Sequence, residues 1–406
     1  MRIQPFAALR PRSDLAERVA SVPYDVVTTE EAAALADGLP ESFLHVIRPE
    51  IDLPGVTDLY SDEVYATAKA NLDRFVAEGW LQRDAGPSLY LYRQQMGDHV
   101  QTGLVATCHA DDYSANIIKK HEYTLKKKED DRTRHTSTLM ANAGPVFLTY
   151  RDDAAIDALV DQDTAGAPDV DFTAPDGVRH TVWVAADPDA YVAGFTGVAN
   201  AYVADGHHRS ASAVRVAKEC ADANPGHTGD ELYNWYLCVL FPESQLNVLA
   251  YNRLVRDLGG LSADELLAKA AERFTVTPDA APMPEGKGHI RMVVDGKWYG
   301  LTWDDVPSDP VEQLDVAILQ DRLLGPVLGI DDPKTNPRIS FVGGIHGPER
   351  LERDVVAGKA AVGFSLYPVA VGEVMDVADA DKVMPPKSTW FEPKLRSGLL
   401  VNTLES

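Results

Sequence analysis

Apolar and polar positions alternate with a changing period along the chain, and the changes mark out its elements. Residues 1–10 read as an extended segment leading into the turn Pro23-Tyr24-Asp25, after which Thr28 or Thr29 caps a helix over 30–37. Residues 43–47 read as a short strand ended by Arg48-Pro49. Over 61–79 the apolar positions Val64, Ala68, Leu72, Phe75 and Val76 share one helical face, and Gly79 closes the helix. Residues 89–108 predict a hairpin turning at Gly97-Asp98, and 289–303 a second one at Asp295-Gly296. Segment 111–135 is polar and lysine-rich, a loop opening a helix. Strands are predicted at 146–150, 180–185, 232–241 and 246–251, and helices at 154–160, 261–274 and 311–324. Residues 162–177 read as a loop, 276–288 as a proline-rich linker, and 336–372 as mixed structure. Strands and helices intermix without strict alternation, which favours α+β over a doubly wound sheet. Three regions are expected: 1–110, 111–255 and 256–406.

The 406 residues suffice for two or three domains, and 45% hydrophobic with 25% charged residues is ordinary for a soluble globular protein. The net charge of −24, from 38 basic and 62 acidic residues, argues against nucleic acid as a partner of the whole protein. Solubility or an acidic proteome explains that charge, and basic stretches stand out against it. No run reaches membrane-spanning length, and the amino terminus lacks the apolar core of a signal peptide. Cys108, Cys220 and Cys238 lie far apart, with neither disulfide nor zinc spacing, and Cys108 and Cys238 fall in strand-like runs as reduced core residues. A cytoplasmic protein away from membranes is expected, with a homodimer left open.

The chemistry concentrates at 201–214. An apolar run with Tyr202 and Val203 stops at Asp205-Gly206, and a helix former follows at once. Unpaired amides and the helix dipole at such a junction favour an anion. Gly206 allows close backbone approach, and His207, His208 and Arg209 add donors suited to phosphate oxygens. Asp205 could hold a metal ion or orient a hydroxyl. A surface turn with an aspartate cap is the plain alternative. Upstream, Lys119-Lys120-His121-Glu122-Tyr123-Thr124 leads into Lys126–Lys128 and Asp131-Arg132, basic enough for a polyphosphate. Glu122 among lysines suits a general base, and a solvated helix face explains the same pattern. The rigid segment Met384-Pro385-Pro386-Lys387-Ser388-Thr389-Trp390-Phe391-Glu392-Pro393-Lys394 could close over a nucleotide or simply dock the tail. Asp25 belongs to a substrate pocket or an Asx turn, and Arg48 to an anion clamp or the surface. Gly343-Gly344-Ile345-His346-Gly347 reads as a turn. No Walker motif and no kinase His-Arg-Asp set is present.

Asp205-Gly206-His207-His208-Arg209 before a small-residue helix resembles the nucleotide motif of the ParB/sulfiredoxin-like fold, in which free serine kinases carry an Asp-Gly-His-X-Arg version. The whole chain resembles the bacterial family called domain of unknown function 1015. Its marks here are Val22-Pro23-Tyr24-Asp25-Val26-Val27, Val46-Ile47-Arg48-Pro49-Glu50, His121-Glu122-Tyr123-Thr124 with Asp131-Arg132, Asp205 to Arg209, and Met384 to Phe391. The resemblance implies a ParB/sulfiredoxin-like core with mixed sheets and α+β elaborations. It also implies a phosphotransferase using ATP or ADP and Mg²⁺ on a small hydroxyl substrate, foremost free L-serine, to give O-phosphoserine. Through its His-Glu pair it points to Glu122 as a catalytic residue, with Asp205 and His207, and the wide gap from His121 to Asp205 implies an insertion. Gly206, His208, Arg209, Lys387 and Thr389 then hold phosphates, Asp25, Arg48 and Arg132 face the substrate, and Asp205 carries the metal. A non-catalytic nucleotide-binding switch and a phosphatase acting on a phosphorylated amino acid are the alternatives.

Overall fold

The hairpin at Gly97-Asp98 forms the middle of a nine-stranded sheet in the computed structural model, which describes residues 1–405. Its strands are Ile3–Gln4 (β1), Tyr90–Met96 (β2), His99–His109 (β3), Ile118–Lys119 (β4), Val146–Tyr150 (β5), Val170–Thr173 (β6), Arg179–Val184 (β7), Ala201–Asp205 (β8) and Trp235–Pro242 (β9). They run β4-β8-β5-β9-β3-β2-β7-β6, with β1 added to β3. The sheet is mixed, because β8 runs parallel to β4 and β9 parallel to β5, while the other pairs are antiparallel. Leu104, Leu148, Val203, Cys238 and Leu240 are fully or almost fully buried in its core. Each large apolar side chain buried there contributes about 1.5–3 kcal/mol.

Three helices sit together in this unit: Asp62–Ala77 (α1), Lys126–Leu139 (α2) and His207–Ala223 (α3). α2 packs against both others. It has almost no apolar face, and polar groups hold it: Asp131 accepts from the Tyr65 hydroxyl at 2.8 Å, Asp130 pairs with Arg215 at 2.5 Å, and buried His135 hydrogen-bonds the Val46 carbonyl at 2.9 Å. That packing sets the lysine-rich segment beside α3.

Several local expectations change. Leu44–Ile47 is a helical turn, not a strand, because its apolar run packs on α1. Val76 is solvent-exposed and off the buried face of α1, where Asn71 is buried instead. The 162–177 loop contains β6, recruited by pairing with β7. Leu232–Asn234 is a 3₁₀ turn before β9, Thr275–Pro278 is a strand in the expected linker, and the helix expected over 311–324 starts only at Asp315. Pro188–Phe195 adds a helix that the pattern did not suggest.

The chain divides into two compact units, one of Met1–Leu246 with the segment from Pro393 onward, the other of Asn247–Glu392. The second unit has its own six-stranded antiparallel sheet, in the order Thr275–Pro278, Lys297–Thr302, His289–Val294, Val362–Ser365, Tyr251–Val255, Ile339–Gly343. Leu266, Ile290, Met292, Leu301, Leu319 and Phe364 fill its core. The whole is α+β with several sheets. Among the described residues, no helix is long and apolar enough to cross a membrane.

Candidate functional site

Two strand ends build the site. β4 and β8 run parallel, with Ile118 opposite Ala201 and Lys119 opposite Tyr202, so both chains leave the sheet at the same edge. His121-Glu122 therefore emerges beside Asp205-Gly206-His207. The register of β8 against β5 shifts between Val203 and Asp205, an irregularity that re-aims side chains at a strand end. Gly206 then takes a left-handed backbone (φ 95°) and opens α3 with no side-chain cap and no acidic residue in the first turn. Uncapped amides and an unopposed dipole are what an anion needs.

Asp205 is the electrostatic centre. Its Oδ2 accepts from Arg209 Nη2 at 2.6 Å and its Oδ1 from Lys394 Nζ at 3.1 Å. Burial works against ionisation of Asp205, but Lys394 and Arg209 outweigh it and hold the carboxyl well below the usual range. Arg209 also donates to the Pro145 carbonyl at the start of β5. His207 is buried and its ring lies edge-on to His121, centroids 4.5 Å apart. Burial lowers His121 to about 4, and burial followed by the nearby His121 ring lowers His207 far below its ordinary value, so both are neutral at pH 7. His207 Nδ1 faces the half-exposed Glu122 carboxylate at 3.9 Å. Four buried polar atoms around this turn have no hydrogen-bond partner in the protein: His121 Nδ1, His207 Nε2, Arg209 Nε and Ser210 Oγ. Such groups are rare in folded proteins, and four at one helix start mark a place completed by something else.

The remaining expected residues are distributed as follows. His208 accepts from the Leu125 amide at 3.1 Å and so ties the loop after Glu122 to α3; burial, then Lys128, lowers its pKa. Asp25 is exposed within electrostatic reach of His208 and Arg209. Arg132 pairs with Asp131 at 2.7 Å, stacks over Tyr24 at 4.0 Å, and lines with Arg209 a cavity of about 40 Å³. Arg48 is engaged by Glu50 at 2.9 Å, the Thr29 hydroxyl at 3.0 Å and the Tyr24 carbonyl at 3.2 Å, so it braces the Tyr24 loop. Lys387 and Thr389 belong to the second unit, where the Lys387 ammonium sits over Tyr251 at 5.4 Å and its carbonyl accepts from Arg253. Sequence reasoning passed over three participants. They are His121, Tyr24 and Lys394, each a member of a motif already noticed but not singled out within it.

A family model described as a protein of unknown function, DUF1015, matches residues 3–317. The chain belongs to this family. The DUF1015 match takes in Glu122 and Asp205 to Arg209 and stops short of Lys394. Among solved structures, a free serine kinase in complex with AMP is 14% identical, with 71% of this chain and 86% of that chain covered and a TM-score of 0.38. SbnI from Staphylococcus aureus, truncated at its C-terminus, is 11% identical over 74% of this chain and 87% of that chain, with a TM-score of 0.40. A conserved hypothetical protein from Pyrococcus furiosus is 14% identical over 74% and 95%, with a TM-score of 0.37. No curated protein matches the DUF1015 chain.

Proposed function

We propose that the turn between β8 and α3, on a ParB/sulfiredoxin-type core, binds ATP or ADP and that the protein transfers a phosphoryl group to a small hydroxyl substrate, foremost free L-serine. The observation that carries this reading is the convergence on one turn of an uncapped helix start, the partnerless Arg209 Nε and the Glu122 carboxylate from a distant segment. Phosphoryl transfer asks for in-line positioning and charge neutralisation more than for covalent chemistry. The first amides of α3 and Arg209 supply donors to the phosphate oxygens. Glu122 accepts the serine hydroxyl proton as that oxygen attacks phosphorus, and the bond from phosphorus to the departing nucleotide breaks. Neutral His207 faces Glu122 at 3.9 Å and leaves its charge uncancelled. Asp25 and Arg132 are assigned to the substrate side.

Mg²⁺ suits this site only as a partner of the nucleotide. Both Asp205 oxygens are engaged by cations, and among the described residues no group of three or more His, Cys, Asp or Glu could hold a metal. Mg²⁺ commonly binds through phosphates with one or two carboxylates, and Asp205 or Glu122 would supply one. When bound, it neutralises charge on the transferring group. Nucleotide binding without turnover is the second reading, favoured by the 3.9 Å from Glu122 to His207, beyond hydrogen-bond reach.

The test combines ATP or ADP, Mg²⁺ and L-serine with the purified protein and follows O-phosphoserine. Glu122→Gln is expected to lose on the order of 100-fold or more in kcat while nucleotide affinity stays within about threefold. A parent protein that binds neither nucleotide removes the proposal. Binding with no product from serine or other small alcohols selects the switch.

A further inference from the structure

The Asp-Gly-His-His-Arg turn has a charge problem that its own residues do not solve. Its two histidines are neutral or held low in basicity, and its one permanent cation, Arg209, is matched by Asp205 at 2.6 Å. Taken alone, the turn is formally uncharged. The second cation is Lys394, which arrives from beyond the region that the family model matches. Its side chain is only 17% exposed, so its charge acts with less screening than that of a surface lysine.

A buried polar network fixes the backbone that carries it. Gln94, fully buried on β2, donates to the Lys394 carbonyl at 2.9 Å and accepts from buried Gln101 at 3.1 Å. Two residues further on, the Arg396 amide donates to the Tyr92 hydroxyl at 3.3 Å, its Nε donates to His180 Nε2 at 3.1 Å, and its guanidinium pairs with Asp176. An acceptor Nε2 requires a neutral His180 with its proton on Nδ1, which meets the Tyr92 oxygen at 2.7 Å. Ser397 then exchanges both backbone hydrogen bonds with Ser21, at 2.9 and 3.0 Å. Burying this many polar groups is costly unless each has a partner, and here the partners all serve to hold one short segment.

We propose that Lys394 is a phosphate-binding residue of this site, and that Gln94, His180 and Arg396 are positioning residues that hold it there. An ammonium has three donors, so Lys394 can keep Asp205 and still reach a phosphate oxygen. The inference rests on the phosphate-binding reading above and adds the cation that gives the Asp205–Arg209 turn a net positive charge and balances Glu122 across the site.

The test titrates ADP by calorimetry into the full-length parent, Lys394→Gln, Lys394→Arg and Gln94→Leu at two salt concentrations. Expected is a rise in Kd of about tenfold or more for Lys394→Gln, partial recovery in Lys394→Arg, and about threefold for Gln94→Leu. The salt dependence should also be shallower for Lys394→Gln, which a purely structural role would not produce. Parent-like Kd and salt slope in Lys394→Gln overturn the assignment and leave the site reading standing. A parent that does not bind ADP overturns both. If Lys394→Gln does not fold, Gln94→Leu decides the matter, and an ADP affinity and salt slope unchanged from the parent reject the proposal.

Discussion

At Gly206 two constraints coincide. The backbone is left-handed, at φ 95°, and a Cβ would lie 3.1 Å from Arg209 Nε. Gly206→Ala must therefore either strain the turn or displace the guanidinium that faces Asp205. Each residue held in such a backbone region costs about 1–3 kcal/mol. The variant is expected to lose stability in that range by urea denaturation, and to weaken ADP binding further than the stability loss alone accounts for. At this scale the motif was legible, because a glycine between a carboxylate and three potential donors has few plain explanations. Glu122 was legible through its neighbours. Lys394 was not, since a lysine in a proline-rich tail carries no signal until Asp205 is seen opposite it. Arg48 stood out for its position after an apolar run, yet it is held in place by an ion pair with Glu50 and hydrogen bonds to Thr29 and Tyr24.

Elements were readable where local chemistry decides them. Thr28 caps Thr29–Ala36 in a reciprocal box, accepting from the Glu31 amide at 3.2 Å while Glu31 accepts from the Thr28 amide at 2.8 Å. Thr28→Ala is expected to cost about 1 kcal/mol, read from a lowered urea midpoint with unchanged slope. Both hairpins were readable from their turns for the same reason. The Leu44–Ile47 turn was not, because four apolar residues fit either period and only packing on α1 selects the helix. Nor was β4, two residues long, whose existence depends on pairing with β8 far along the chain. That pairing brings Glu122 to His207, so the feature that assembles the candidate site was the least visible in the sequence.

For the molecule as a whole, buried histidines weaken the fold as the pH falls. Burial lowers His121 to about 4; burial, then Arg132, lowers His135 to about 4. A histidine neutral in the folded state and free to protonate when unfolded binds more protons unfolded. Its stabilising contribution is complete above the unfolded value near pH ~6.5 and is lost as pH falls from there towards about 4. Denaturant titrations are expected to show a steady fall across that window, on the order of 3 kcal/mol per histidine at its acid end. Constant stability between pH 7 and 5 would contradict the burial of both.

The first unit is closed by residues made after the second. Gln94, Tyr92, His180 and Asp205 lie upstream of Leu246, whereas Lys394, Arg396 and Ser397 follow the entire second unit in the chain. Synthesis proceeds from the N-terminus, so a nascent chain exposes the buried acceptors of that network for as long as the ribosome takes to complete the second unit. A transcript cut short after Leu246 yields a first unit whose Asp205 has Arg209 but no lysine, and whose His180 and Gln94 lack their arginine and backbone partners. Unmet buried polar groups of this kind cost free energy, so such a fragment is expected to be less stable than the complete first unit. The interior of the first unit is therefore completed only after the second unit has been synthesised.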